Sequence, residues 1–259
     1  MKEYILITGA SSGIGYEMAQ QLAALKYNLI LTARSEDKLE VMQQELSSKY
    51  GIVVHYIAKD LSNTDQAVRL FNDIKSANYQ VSHLVNNAGF GDYGNFLETS
   101  LEKELNMIDL NISSLVILTK LFAKDMAARK SGRIMNVASL LSFLPFPYYS
   151  VYSATKSFVL AFTETVAAEL EDSGVTVTAL CPGPVDTPFQ TDAMRHTNAN
   201  KTTKLVSAAS VAKAGVKLLL NGKGKKIVGF QNWFISNLPR VMPDVVMMKI
   251  KKNLASNKS

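Results

Sequence analysis

Tyr152 and Lys156 are the residues whose types and spacing most directly allow chemistry. Four apart, they share one face of a helix, so an ammonium lies one turn from a phenol. A free tyrosine ionises near pH 10 and is a poor acid–base catalyst at neutral pH. Tuning it to the working pH takes a fall of roughly 2–3 units, about 3–4 kcal/mol. A neighbouring positive charge acts in that direction. Ser139 stands thirteen residues earlier, at the end of an apolar run, where an inward hydroxyl can hold a substrate oxygen. Together they read as proton transfer at an oxygen. Singly they have plainer readings: a surface Tyr/Lys pair, and a serine capping a turn.

A second cluster concerns phosphate. Thr8-Gly9-Ala10-Ser11-Ser12-Gly13-Ile14-Gly15 follows the first apolar run directly and opens a helical pattern. Glycines there let the backbone turn tightly and approach a pyrophosphate, which sits on the N–H groups of the helix start. The spacing is Gly-x-x-x-Gly-x-Gly rather than the commoner Gly-x-Gly-x-x-Gly, and a simple tight strand–helix turn is the competing reading.

The elements that must position these residues alternate. Strand candidates are 4–8, 28–32, 52–58, 83–86, 133–138, 175–180 and 226–229, mostly short continuous apolar runs of the kind parallel strands show when covered on both faces. Between them run stripes of helical period: Ile14, Met18, Leu22 and Leu25; Leu39, Met42 and Leu46; Val68, Phe71 and Ile74. Longer helices are predicted at about 101–130, 152–172 and 210–221. This repetition implies an α/β fold, a doubly wound, Rossmann-like parallel sheet with right-handed crossovers. We see no linker and no break in composition, so 1–259 is read as a single domain, with a polar loop or lid over 184–207.

Composition excludes several classes. With 259 residues, 47% of them hydrophobic, the chain can bury a large core. One cysteine, Cys181, allows no internal disulfide. No apolar run approaches the roughly 18–20 residues of a spanning helix, and the start is unlike a secretory signal, so a soluble cytoplasmic protein is expected. The three histidines are dispersed and no zinc spacing occurs, so no metal is expected. The net charge of +6 is concentrated late: Lys225, Lys226, Arg240, Lys249, Lys251, Lys252 and Lys258 face one acid, Asp244. A solvated face is the plainer explanation, a surface for anionic lipid or nucleic acid the other. No nucleic-acid motif is present, and nucleic acid is not expected as a partner.

The motifs, taken in order, resemble those of the short-chain dehydrogenase/reductase family over about residues 3–230. Thr-Gly-x-x-x-Gly-x-Gly is followed by Asn86-Asn87-Ala88-Gly89, by Asn111, by Ser139, by Tyr152-Ser153-Ala154-Thr155-Lys156 and by Pro182-Gly183-Pro184-Val185-Asp186-Thr187. The resemblance implies hydride transfer between a nicotinamide cofactor and a carbonyl or alcohol. The implied catalytic residues are Asn111, Ser139, Tyr152 and Lys156. Lys156 would also bond the nicotinamide ribose, and Asn111 would hold a water that links Lys156 to solvent. The oxidised nicotinamide ring would add a second positive charge near the phenol. The implied cofactor residues are Gly9, Ser11, Ser12, Gly13, Ile14, Gly15, Asn87, Ala88, Gly89, Tyr152, Lys156, Pro182, Gly183, Val185 and Thr187. Asp60 and Leu61 would contact adenine, with Asp60 as a mere helix cap the competing reading.

In this fold an acid near the end of the second strand binds the ribose hydroxyl of NAD, and a nearby Arg accommodates the phosphate of NADP. Here the acid position holds Ala33, and Arg34 follows it. A guanidinium fork suits phosphate oxygens, so NADP(H) is favoured. Leu140–Tyr149, Phe90–Phe96, Phe189 and the 184–207 loop are expected to wall the substrate, an apolar or aromatic carbonyl compound. Cys181 is expected near the nicotinamide, unless it is only a small apolar core residue. An NADPH-binding sensor without turnover is the alternative; the intact Asn111, Ser139, Tyr152 and Lys156 set argues against it. Family members mostly pair through the two long helices, which implies a homodimer or homotetramer through positions such as Leu115, Leu118, Phe122, Phe158 and Phe162. The tail from about 231 mixes apolar and basic residues. It reads as a helix over the pocket, an oligomer contact, or a helix lying on anionic membrane.

Overall fold

The computed structural model describes residues 2–198, 205–240 and 242–256. Part of the 184–207 loop (residues 199–204) and the tail residues Val241 and Lys258 therefore lie outside the described residues. The chain begins with β1 (Glu3–Thr8), α1 (Gly13–Ala24), β2 (Asn28–Ala33), α2 (Glu36–Tyr50), β3 (Val54–Ala58), α3 (Thr64–Ser76) and β4 (Gln80–Asn86). Next come α4 (Leu101–Ile108), a π-helical segment (Asp109–Ser114), α5 (Leu115–Ala128), β5 (Gly132–Val137), α6 (Ser150–Glu169) and β6 (Val175–Cys181). The last part holds β7 (Val185–Asp186), α7 (Asp192–Arg195), β8 (Val206–Ser207), α8 (Ala208–Asn221), β9 (Gly224–Ile227), α9 (Phe230–Asn237) and α10 (Asp244–Ala255).

Seven parallel strands pair in the order β3-β2-β1-β4-β5-β6-β9. Alternation along β1 explains the two core layers. Ile5 and Ile7 point to one face and pack with Met18, Leu22 and Leu39 of α1 and α2 and Val211 and Leu219 of α8. Tyr4 and Leu6 point to the other, with Leu70 of α3 and Leu118, Phe122 and Met126 of α5. The doubly wound, single-domain architecture is the expected one. The winding reverses between β1 and β4, which leaves a crevice above their C-terminal ends.

Several local expectations shift. The last strand is Gly224–Ile227, two residues earlier than predicted, because Thr178 to Cys181 of β6 pair with Gly224 to Ile227. The inward stripe of α3 is Ala67, Leu70 and Ile74, while Val68 is exposed. Likewise Leu25 is exposed beyond α1. The 184–207 stretch is partly ordered by pairing of Val185–Asp186 with Val206–Ser207.

The segment 101–128 also contains an 18-residue window of mean hydropathy 1.4, enough by length and composition to cross a membrane, which uninterrupted apolar runs did not reveal. It serves here as the crossover between β4 and β5. Leu115, Leu118 and Phe122 are each at most 5% exposed within their own chain, so they are core residues and not free for the expected subunit contact. Phe158 remains exposed and stacks on Phe162, and Leu101, Leu105 and Ile108 are exposed on α4.

Candidate active site

The crevice holds a cavity of about 630 Å³ that runs from the glycine-rich turn to the C-terminal helices. At one end lie Gly9, Ser11, Ser12, Gly13, Ile14, Ala33, Arg34, Asp60 and Leu61. Gly9 and Gly13 adopt φ of +64° and +56°, the left-handed region that glycine enters without strain. Ser12 precedes α1 without capping it by its side chain, and the first turn carries no acid. Gly13 and Ile14 line the cavity, so the positive end of α1 and its N–H groups face the space. Thr8 ties this turn to β4: its Oγ1 accepts from the N–H groups of Asn87 (3.0 Å) and Ala88 (2.9 Å). Asn87 Nδ2 returns bonds to the carbonyls of Thr8 (3.0 Å) and Gly9 (3.1 Å).

Gly15 does not line the cavity. A Cβ there would stand 2.3 Å from the Gly9 carbonyl oxygen and 2.5 Å from Asn87 Nδ2, so its part is to let α1 close against the turn. Asp60 does not cap α3. Asn63 does, while Asp60 Oδ1 accepts from the N–H (3.0 Å) and hydroxyl (2.8 Å) of Ser62 at the cavity rim.

Asn87, Ala88, Gly89, Ser139, Tyr152, Lys156, Pro182 and Gly183 occupy the middle, with Val185 and Thr187 beside them. Ser139 follows β5 and caps a short 3-10 turn (Leu140–Ser142), its Oγ accepting from Leu141 N at 3.1 Å. It thus does what the plainer reading proposed, and it also bonds the Tyr152 side chain. Burial pushes the Tyr152 phenol up to about 12, and the Ser139 bond offsets this only in part. At 8% exposure, desolvation of the phenolate is the dominant cause, whereas the fall expected from Lys156 and the oxidised nicotinamide acting together concerns the cofactor-bound protein. Lys156 Nζ sits 6.0 Å from the Tyr152 ring centroid and donates to Val137 O at 2.9 Å. Its burial in turn draws the amine down to about 8.

Asn111 lies in the π-helical segment and outside the cavity lining. Its side chain is engaged by protein, accepting from Phe90 N (3.2 Å) and donating to Phe90 O (3.0 Å) and Thr155 Oγ1 (3.1 Å). What this amide visibly does is pin the Phe90 loop to α6. Cys181 is also outside the cavity, buried with Ala138, Val159 and Ala179. Burial lifts its thiol to about 12, as for a core residue.

The far end is apolar. Leu140, Leu141, Leu144, Phe146, Tyr149, Phe90, Phe189 and Met194 line it as the sequence led us to expect in kind, whereas Phe96 is exposed and outside it. Gln231, Asn232 and Ile235 of α9 and Leu254 and Ala255 of α10 complete the wall. Tyr93 Oη donates to Ala255 O at 2.7 Å, which ties the tail to the loop after β4. Of the tail's three readings, the structure displays the first. Gln231, Asn232, Leu254 and Ala255 were not singled out from the sequence, because nothing in a tail's local pattern says which face returns to the sheet, and neither was Lys59, just beyond β3.

A dinucleotide-type fold with a Ser/Tyr/Lys centre defines an oxidoreductase class, and the comparisons agree. Residues 3–198 match the model of the short chain dehydrogenase family, and the chain belongs to that family. It is 34% identical over 209 residues to 17-beta-hydroxysteroid dehydrogenase type 3 of Mus musculus, covering 79% of this chain and 65% of that one. The match thus spans just under two thirds of that relative's length. It is 30% identical to the very-long-chain 3-oxoacyl-CoA reductase of Macaca fascicularis, over 97% of this chain and 79% of that one. Among solved structures, a short-chain dehydrogenase from Sphingobium yanoikuyae in complex with NADPH superposes with a TM-score of 0.81 at 25% identity, covering 99% of both chains.

Proposed function

We propose that this protein is an NADP(H)-dependent reductase of ketones carried on bulky apolar molecules. One observation carries the reading: Ser139 and Tyr152 line the same cavity as neighbouring side chains, between two ends that differ in chemistry. The polar end fits a dinucleotide by its glycine cradle, its α1 terminus and the absence of an acid at Ala33. Gly9, Ser11, Ser12, Gly13 and Ile14 would hold the pyrophosphate, Arg34 the phosphate of the adenosine ribose, and Asp60 and Leu61 the adenine. Asn87, Ala88, Gly89 and Lys156, with Pro182, Gly183, Val185 and Thr187, would surround the nicotinamide riboside. When bound in reduced form, this cofactor supplies the hydride.

The residues of the chain handle the oxygen and its proton. Ser139 and Tyr152 would each donate a hydrogen bond from their hydroxyls to a carbonyl oxygen placed between them. As negative charge grows on that oxygen, Tyr152 gives up its proton and the product leaves as an alcohol. The phenol holds its proton at neutral pH, so the reductive direction begins with the donor in place, and the charge of Lys156 eases the loss of that proton as the oxygen takes it. The Lys156 ammonium supports the transient phenolate, and its lowered affinity for protons fits it to resupply the proton. Two of its three N–H donors remain beyond the bond to Val137 O. The long apolar wall admits a hydrophobic body and excludes water from the reacting oxygen.

The test follows NADPH absorbance with steroid ketones and long-chain 3-oxoacyl thioesters. Wild type turns over at least one of these, and Tyr152→Phe loses about 10²–10⁴-fold in kcat while still binding NADPH. Binding of NADPH without turnover of any ketone leaves the sensor reading instead.

A further inference from the structure

We propose that α9 and α10 form a docking surface for the headgroup region of an anionic membrane. On α9, Phe230, Trp233 and Phe234 are 81%, 52% and 57% exposed. Their i, i+3, i+4 spacing places them on one face, and the Phe230 and Trp233 rings stack at 5.9 Å. The opposite face is anchored: Asn232 and Ser236 are buried, and Asn232 Nδ2 donates to Val228 O at 2.7 Å. On α10 the inward residues are Met247, Lys251 and Ala255, while Val245, Val246, Met248 and Ile250 are exposed. Solvent-facing aromatic and aliphatic side chains crowded into about twenty residues exceed the scattered apolar exposure of an ordinary surface.

The charges choose the occupant. Lys249 and Lys252 are exposed on α10, Lys223 and Lys226 are exposed at β9 just ahead of α9, and Asp244 is the sole acid from residue 223 onward. A second copy seated on this surface by a twofold axis would bring lysines against lysines, and lysine is depleted from the cores of protein interfaces. A bilayer rich in phosphatidylglycerol or phosphatidylserine instead meets aromatic rings with its acyl boundary and ammonium groups with its phosphates. The inner faces of these two helices supply Ile235, Leu254 and Ala255 to the cavity. Docking would therefore set the cover of the reaction chamber at the lipid surface, where apolar ketones partition. That consequence rests on the proposed reaction, whereas the docking itself does not.

Trp233 is the only tryptophan, so the surface carries its own probe. Full-length protein is mixed with vesicles of phosphatidylcholine alone or with an equal part of phosphatidylglycerol. Anionic vesicles should shift Trp233 emission to the blue and carry the protein into the pellet. Phe230→Ser with Phe234→Ser should lower partitioning roughly tenfold or more, and each exposed lysine changed to Gln by about fivefold, with high salt doing the same. Melting curves and NADPH binding verify that the variants fold. Should the double variant fail to fold, quenching of wild-type Trp233 by brominated lipid decides in its place. Emission unmoved by anionic vesicles overturns the proposal. So does a lipid-free, concentration-dependent blue shift with dimer formation, which would assign the surface to a second copy. Neither result touches the reductase reading, since no turnover is measured.

Discussion

Replacing Lys156 by Met should abolish turnover and, at neutral pH, should not destabilise the cofactor-free protein. The amine is 5% exposed, and burial lowers it from 10.5 to about 8. The sign follows from proton counts. Below pH 8 the folded and unfolded states both hold the proton, and the full cost of burying the cation is present. Between pH 8 and 10.5 the folded state sheds it first, so stability rises with pH until both states are neutral. A gap of about 2.5 units corresponds to about 3 kcal/mol. Met removes that cost but leaves the Val137 carbonyl without its 2.9 Å donor, a penalty of roughly 1–3 kcal/mol at every pH. The variant should therefore equal or exceed wild type by up to about 2 kcal/mol at pH 7 and fall below it near pH 10. Cys181 feels the Lys156 charge, but with its thiol at about 12 it stays protonated in both folded proteins through pH 10, so its titration adds no pH dependence to the difference. Guanidinium melts of both proteins from pH 7 to 10 give this difference directly. A stability gap that stays constant over that range would refute the argument, whatever its size, because only the titration of a buried Lys156 makes it vary.

Three further outcomes are expected. Arg34→Ala should raise the KM for NADPH by about 10–100-fold and leave that for NADH nearly unchanged, as loss of a charged hydrogen bond requires; equal effects on both would remove Arg34 from phosphate binding. Gly15→Ala forces a Cβ to within 2.3 Å of the Gly9 carbonyl oxygen, so melting should show a loss of about 1–3 kcal/mol together with weaker NADPH binding. Leu254→Ala trims the apolar wall and should raise KM for bulky ketones severalfold at similar kcat, with small ketones unaffected.

How far the sequence reached depended on whether a property was local. The parallel sheet was legible because covered strands must be apolar throughout, and the glycine turn because its backbone demands a residue without a Cβ at Gly9 and Gly13. The pairing of Tyr152 with Lys156 followed from helical geometry alone. Where a choice depended on a distant partner, local pattern failed. Val68 and Leu70 are equally good inward candidates until α5 supplies Phe122, and the seventh strand slides two residues to find its register on β6. Leu115, Leu118 and Phe122 look like subunit contacts in a helix read alone, and become core once the sheet lies beneath them. Asn111 keeps its place but spends its amide on Phe90 and Thr155, residues 21 and 44 positions away. The phenol tells the same story most sharply. Spacing put a cation one turn from Tyr152, yet whether its proton is held or released is set by how much water and how many dipoles surround it. Those surroundings come from the end of β5, from α6, from the loop at Gly91 and from Phe189, and they exist only when the chain has folded.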